Sequence, residues 1–167
     1  MKKIVTTDPM NYLLESLRTY LLSKVTDPRA NRDSNSHFVV IGVTKRKPQY
    51  PVININHISI TSQETSAGQI LNSTQKAIKI IANIQIMPIT KEDEIHSAKS
   101  NDELIRNLGS QISSSLLQVD NKNAIKGTYD IIDATLVGGG SIAGPDDNPN
   151  REIRMPLLFN IEFLYKW

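Results

Sequence analysis

The stretch REIRMPLLFNIEFLY, residues 151–165, constrains this chain more than any other. Ile153, Met155, Leu157, Phe159, Ile161, Phe163 and Tyr165, with Trp167 beyond them, place an apolar or aromatic side chain at every second position. Period two is the mark of a strand with one buried face. At about 3.3 Å per residue, fifteen residues reach roughly 50 Å, whereas a globule of 167 residues is about 40 Å across. Such a strand either bends, with Pro156 the natural place because proline is confined to sheet edges and bulges, or offers part of its apolar face to something outside the monomer.

The length fits one domain, 1–167, burying about 70% of its unfolded surface. The chain has no cysteine, which excludes disulfides and thiolate chemistry and suits a reducing compartment. The opening MKKIVTTDPMNY lacks a continuous apolar core, and nowhere do eighteen uncharged apolar residues run together, so the expectation is a soluble, unprocessed chain. Asn72-Ser73-Thr74 matches a glycosylation sequon but reads as polar loop.

A net charge of +2 is too small to argue for nucleic-acid binding. Its distribution says more. Residues 1–50 hold nine Lys/Arg against four Asp/Glu, and residues 91–147 hold five against ten. Opposite poles on one small domain suit head-to-tail association of identical copies.

The elements follow from pattern. Asp8 as N-cap, Pro9 at the first helical position and the stripe Met10, Leu13, Leu14, Leu17, Leu21, Leu22 and Val25 predict a helix that stops before Asp27-Pro28. Residues 27–36 read as loop. HFVVIGV (37–43) and YPVININHISI (50–60) read as strands joined as a hairpin across TKRKPQ, with a bulge near Asn56-His57 where the apolar phase slips. Residues 61–75 read as polar connection, and 76–89 as a strand burying Ile78, Ile80, Ala82, Ile84 and Ile86. Ser100 to Glu103 forms a capping box ahead of a helix with Leu104, Leu108, Ile112 and Leu116 on one stripe. A weaker strand covers 128–137, and the alternating run closes the pattern. The fold class expected is α+β: a mixed or antiparallel sheet of about four to five strands packed against two helices.

Chemistry finds little support. LVGGGSIAG (136–144) contains Gly138-x-Gly140-x-x-Ala143 after a strand, but the dinucleotide fingerprint needs a helix beyond it to hold the pyrophosphate, and PDDNPN follows instead. A mobile loop over 138–150 is the expectation. His37, His57 and His96 share no metal-ligand spacing, Asp146-Asp147 lacks the spacing of a calcium loop, and no serine stands in a nucleophile elbow. Lys45-Arg46-Lys47 lacks the interleaved aromatics of a single-strand binder. No catalytic residue, cofactor or metal is assigned, and the chain reads as a non-enzyme.

A small α+β domain with an overlong apolar strand, an acidic loop and separated charge describes a building block. The order of PMNYLLESLRTYLLSKV, YPVININHISI, KAIKIIANIQIMPI, SNDELIRNLGSQISSSLL and MPLLFNIEFLYKW resembles the tail terminator (tail completion) proteins of long-tailed bacteriophages and related viruses. That family's copies form a ring, commonly hexameric, that caps the finished tail tube and joins it to the head. The resemblance covers most of the chain but rests on order and pattern, with no diagnostic motif and no functional residue to carry over. It implies a virion protein of the tail or neck, assembled in the host cytoplasm. Its partners would be further copies of itself, the tail tube protein and the head or neck connector, with DNA passing through the lumen and no membrane involved. Charge and aromatic character nominate Lys45, Arg46, Lys47, Asp146, Asp147, Tyr165 and Trp167 as the candidate assembly interface. Residues 37–43 and 128–137 look like additions to the family's minimal pattern, so a related neck or connector protein stays open, as does a ligand-binding or enzymatic domain using 138–150 as a lid.

Overall fold

The computed structural model describes residues 8–42, 48–63, 69–72, 75–92, 100–117 and 129–166. Two helices, α1 (Pro9–Lys24) and α2 (Asn101–Leu117), pack on a sheet built from β1 (Val39–Ile41), β2 (Val52–Gln63), β3 (Gln69–Asn72), β4 (Gln75–Lys91), β5 (Tyr129–Gly139), β6 (Glu152–Arg154) and β7 (Leu157–Lys166). The fold is α+β. Its main strand order is β1-β2-β4-β7-β5, the five strands expected, with short β3 and β6 added along β4. Every pairing is antiparallel except β1 with β2.

Both helix starts follow their sequence signals. Asp8 accepts the Met10 N–H at 3.1 Å with Pro9 next to it, and Ser100 Oγ accepts the Glu103 N–H at 3.2 Å. Of the α1 stripe only Leu22 is exposed, and Tyr20 is buried in its place. The Tyr20 hydroxyl donates to the Ser115 carbonyl at 2.7 Å, tying α1 to α2, and burial pushes its pKa up.

One core fills the space between helices and sheet. Leu13, Leu17 and Leu21 of α1 and Leu104, Leu108 and Ile112 of α2 meet Ile53, Ile55, Ile80, Ile84, Ile86, Leu157, Phe159, Ile161 and Phe163. On each strand these residues have one parity, so both helices lie on the same face. Gly109 lets α2 approach closely, since a Cβ there would meet the Met155 Sδ at 2.9 Å.

The alternating run is interrupted at Met155-Pro156 yet never loses register. β6 pairs Ile89 with Arg154, and β7 pairs Ile86 with Leu157, along one unbroken alignment with β4. Pro156 is not at an edge, because β4 and β5 flank β7 on either side. The break works because Met155 N donates to Pro88 O at 3.2 Å and Gly140 N donates to Pro156 O at 2.8 Å. These contacts ask for no N–H from either proline.

Two other expectations are corrected. The segments 37–43 and 50–60 are not a hairpin: β1 runs parallel to β2, Val39 beside Ile53 and Ile41 beside Ile55. Ile53 N donates to Phe38 O at 2.7 Å and Gly42 N to Ile55 O at 2.9 Å. Residues 61–75 are not simply connection, since β2 continues to Gln63 and β3 adds a further pairing, Gln69 with Ala77. The expected bulge is present one residue on, between His57 and Ser59.

Candidate assembly surface

The face of the sheet turned away from the helices is built by the other parity of each strand. At one end it carries a small second core, Tyr50, Val52 and Ile89 with Met87 against it. Polar contacts hold this end. The Tyr50 hydroxyl donates to Glu152, which also pairs with Arg154. Arg32 holds Asp27 at 2.6 Å, donates to Pro51 O at 2.8 Å, and lays its guanidinium 5.3 Å from the centre of the Phe38 ring.

Beyond Met87 the middle of the face is uncharged over two rows, after which the register brings Glu162 and Asp133, and then Lys79 and Asp130, to the same side. Asn56, Gln85, Leu158 and Gly138 align across four strands, and Ser59, Asn83, Asn160 and Thr135 form the next row. Asn83 Nδ2 donates to Ser59 Oγ at 3.0 Å. The Oδ1 atoms of Asn54 and Asn160 are buried without a partner.

The sheet also outruns its helices. The 17 residues of β4 span about 58 Å at strand rise, whereas the 17 of α2 span about 26 Å at helical rise.

The candidate residues fall in different places. Lys45, Arg46, Lys47 and Trp167 lie outside the described residues, as does His96. Tyr165 is in β7, in register with Ile78 and Tyr129, a central rather than peripheral backbone position, and its side chain lies outside those described. Asp146 and Asp147 sit on a single 3-10 turn, Pro145–Asp147, and both are engaged locally. Asp147 accepts the Gly144 N–H at 2.9 Å, and Asp146 pairs with Arg151 at 3.2 Å. Arg151 also donates to Glu92 at 2.7 Å; that bond, more than any other cause, raises its pKa. Arg151 adopts φ 52°, which swings its side chain into this cluster.

The segment expected as a loop over 138–150 starts inside β5, which includes Gly138 and Gly139. The remainder makes backbone and side-chain hydrogen bonds. Ala143 and Arg154 exchange backbone hydrogen bonds at 2.8 and 3.0 Å, and the Asn148 side chain bonds both the N–H and the C=O of Glu152. Gly139 has a packing reason: a Cβ there would lie 2.0 Å from Pro156 O. The string that matched a dinucleotide motif is thus a strand end passing over a proline, and no helix follows within the described stretch 140–150 beyond the 3-10 turn. NAD, ATP and GTP are therefore expected to leave the melting temperature unchanged; a reproducible rise with any of them would restore the nucleotide reading.

Among the described residues no three His, Cys, Asp or Glu side chains gather as a metal site requires, and no helix is long and apolar enough to cross a membrane. His37 and His57 are exposed on separate elements. The chain matches no protein-family model and, among curated proteins, has no significant match.

Proposed function

We propose that this protein is a structural component of a virion, a tail terminator whose copies form a ring that caps the tail tube and joins it to the head or neck. The observation that carries this reading is the one-sided sheet. Both helices lie on one face, while the middle of the other presents two neutral rows of Asn, Gln, Ser and Thr, with the charged positions Arg154 at one end and Glu162, Asp133, Lys79 and Asp130 at the other. Placed with the helices outward, such a face lines a lumen. Cations there would neutralise phosphates and hold DNA by counterion release; neutral amides let it pass.

The separated charge supports association between copies. α2 and β5 carry Asp102, Glu103, Asp130 and Asp133 against Arg106 alone, whereas β2 has no carboxylate. Lys45-Arg46-Lys47 lies in the chain between Gly42 and Pro48, which flank β1 and β2. Reversing these three charges is expected to weaken the ring, most strongly at low salt.

Analytical ultracentrifugation of the full chain across a concentration and salt series tests the proposal. The expected result is a closed species of a few copies, hexamer foremost, that arrests growth of tail tubes when added to polymerising tube protein. A monomer at every concentration, or a ring without effect on tube length, would count against the terminator role.

A further inference from the structure

We propose that neighbouring copies join edge to edge, the outer edge of β5 in one copy running antiparallel to the outer edge of β2 in the next, so that their sheets continue as one. This rests on the ring reading above and names the contact that closes it. In the strand order β1-β2-β4-β7-β5, β5 is an edge strand along its 11 residues, and β1 covers β2 only from Ile53 to Ile55. The stretch of β2 from residue 56 to 63 has no strand on its outer side among the described residues.

Exposed apolar side chains mark the same two edges. Among the described residues, the large exposed apolar groups are Leu22 and Leu117 on the helices, and otherwise Ile58 (52% exposed) and Ile60 (47%) on β2 and Leu136 (39%) and Val137 (53%) on β5. Lysine and proline, two common guards of an edge that must stay single, are absent from both β2 and β5; each strand carries two bulges, and β5 also holds Asp130 and Asp133.

Charge and direction choose the occupant. Pairing β5 with β5 sets a strand that carries Asp130 and Asp133 against its own copy, and like charges facing across a ladder are destabilising. β2 offers no carboxylate, so the compatible partner of β5 is β2 of a second copy. Direction agrees, because successive antiparallel pairings through β4 and β7 leave β2 and β5 running in opposite senses. Rotating one copy about an axis roughly along the strands then brings β5 beside the next β2 as an antiparallel pair. The two patches differ, so the contact is heterologous, and under the ring reading its rotation closes rather than running on as a filament.

The chain has no cysteine, which makes crosslinking specific. Four double variants are required, pairing Ile58→Cys or Ile60→Cys with Leu136→Cys or Val137→Cys in the full chain. Within one copy the edges are three strand spacings apart, about 14 Å, beyond the roughly 7 Å limit on Cα separation in a disulfide, so any bond between them joins two copies. The expected result under mild oxidation is a reducible ladder from dimer to full ring for at least one pair, with each single-cysteine variant staying uncrosslinked. Thermal melts establish that the variants remain folded. Rings by sedimentation without a ladder from any pair would overturn the edge contact and leave the ring reading standing. Monomers throughout would remove both, and dimers from single variants would replace the head-to-tail contact by a two-fold one.

Discussion

Phe159→Ala is expected to lower the stability of the monomer by about 3–5 kcal/mol, the cost of a lost buried aromatic plus the cavity it leaves. Phe159 is fully buried at the middle of β7 and stands in register between Ile84 of β4 and Leu136 of β5. Helix side chains close the pocket from one side and the sheet backbone from the other, so collapse around the void is restricted. For a chain of this size the melting temperature should fall by roughly 6–20 °C. The internal control is the next residue. Leu158, on the opposite face, is only partly buried, and Leu158→Ala should cost clearly less. Equal losses at the two positions would mean that the uncovered face is not open, and the case for a polar lumen would fail with it.

Gly139→Ala is expected to cost about 3 kcal/mol or more, because two penalties coincide. The residue has φ 89°, which a side chain rarely tolerates. Its Cβ would also meet the Pro156 carbonyl oxygen at 2.0 Å and carbon at 2.8 Å, which is backbone at the junction of β6 and β7 and unable to swing aside like a side chain. The neighbouring glycines separate the two causes. Gly140 has φ 91° with nothing within 4 Å of the position a methyl group would take, so Gly140→Ala should carry only the backbone cost, about 1–2 kcal/mol. Gly138 has ordinary φ and a contact no closer than 3.7 Å, to the Leu158 side chain, and Gly138→Ala should be close to neutral. Denaturant melts of the three variants check the order, and a Gly138→Ala variant as damaged as Gly139→Ala would refute the close approach to Pro156.

How much of this was legible depends on where each residue gets its partner. The helices were, because Asp8, Pro9 and Ser100 act on their own first turns and the leucine stripes have one period. The β4 and β7 strands were, because Ile80 to Ile86 and Leu157 to Phe163 alternate against a single apolar layer. β3 was not: Gln69–Asn72 pairs with β4 where the apolar alternation no longer marks a strand. The parallel setting of β1 was not, since nothing in HFVVIGV distinguishes a neighbour approached from either direction. Pro156 misled because a proline at an interior strand is excluded only if its N–H is needed, and here Pro88 and Gly140 meet Met155 and Pro156 without one. At the candidate surface, Asp146 and Asp147 were found by composition, but their engagement with Arg151 and Gly144 depends on a fold-back to β6 that no local pattern announces.

The place of β7 in the sheet sets a timetable for folding. β7 joins β4 to β5 and follows both in the chain. On a ribosome, β2 and β4 can pair as soon as they emerge, but β5 has no strand to meet until residues 157–166 have been made. The β5 edge exists only in a finished sheet, so the proposed edge-to-edge contact could form only after a chain's own folding is complete.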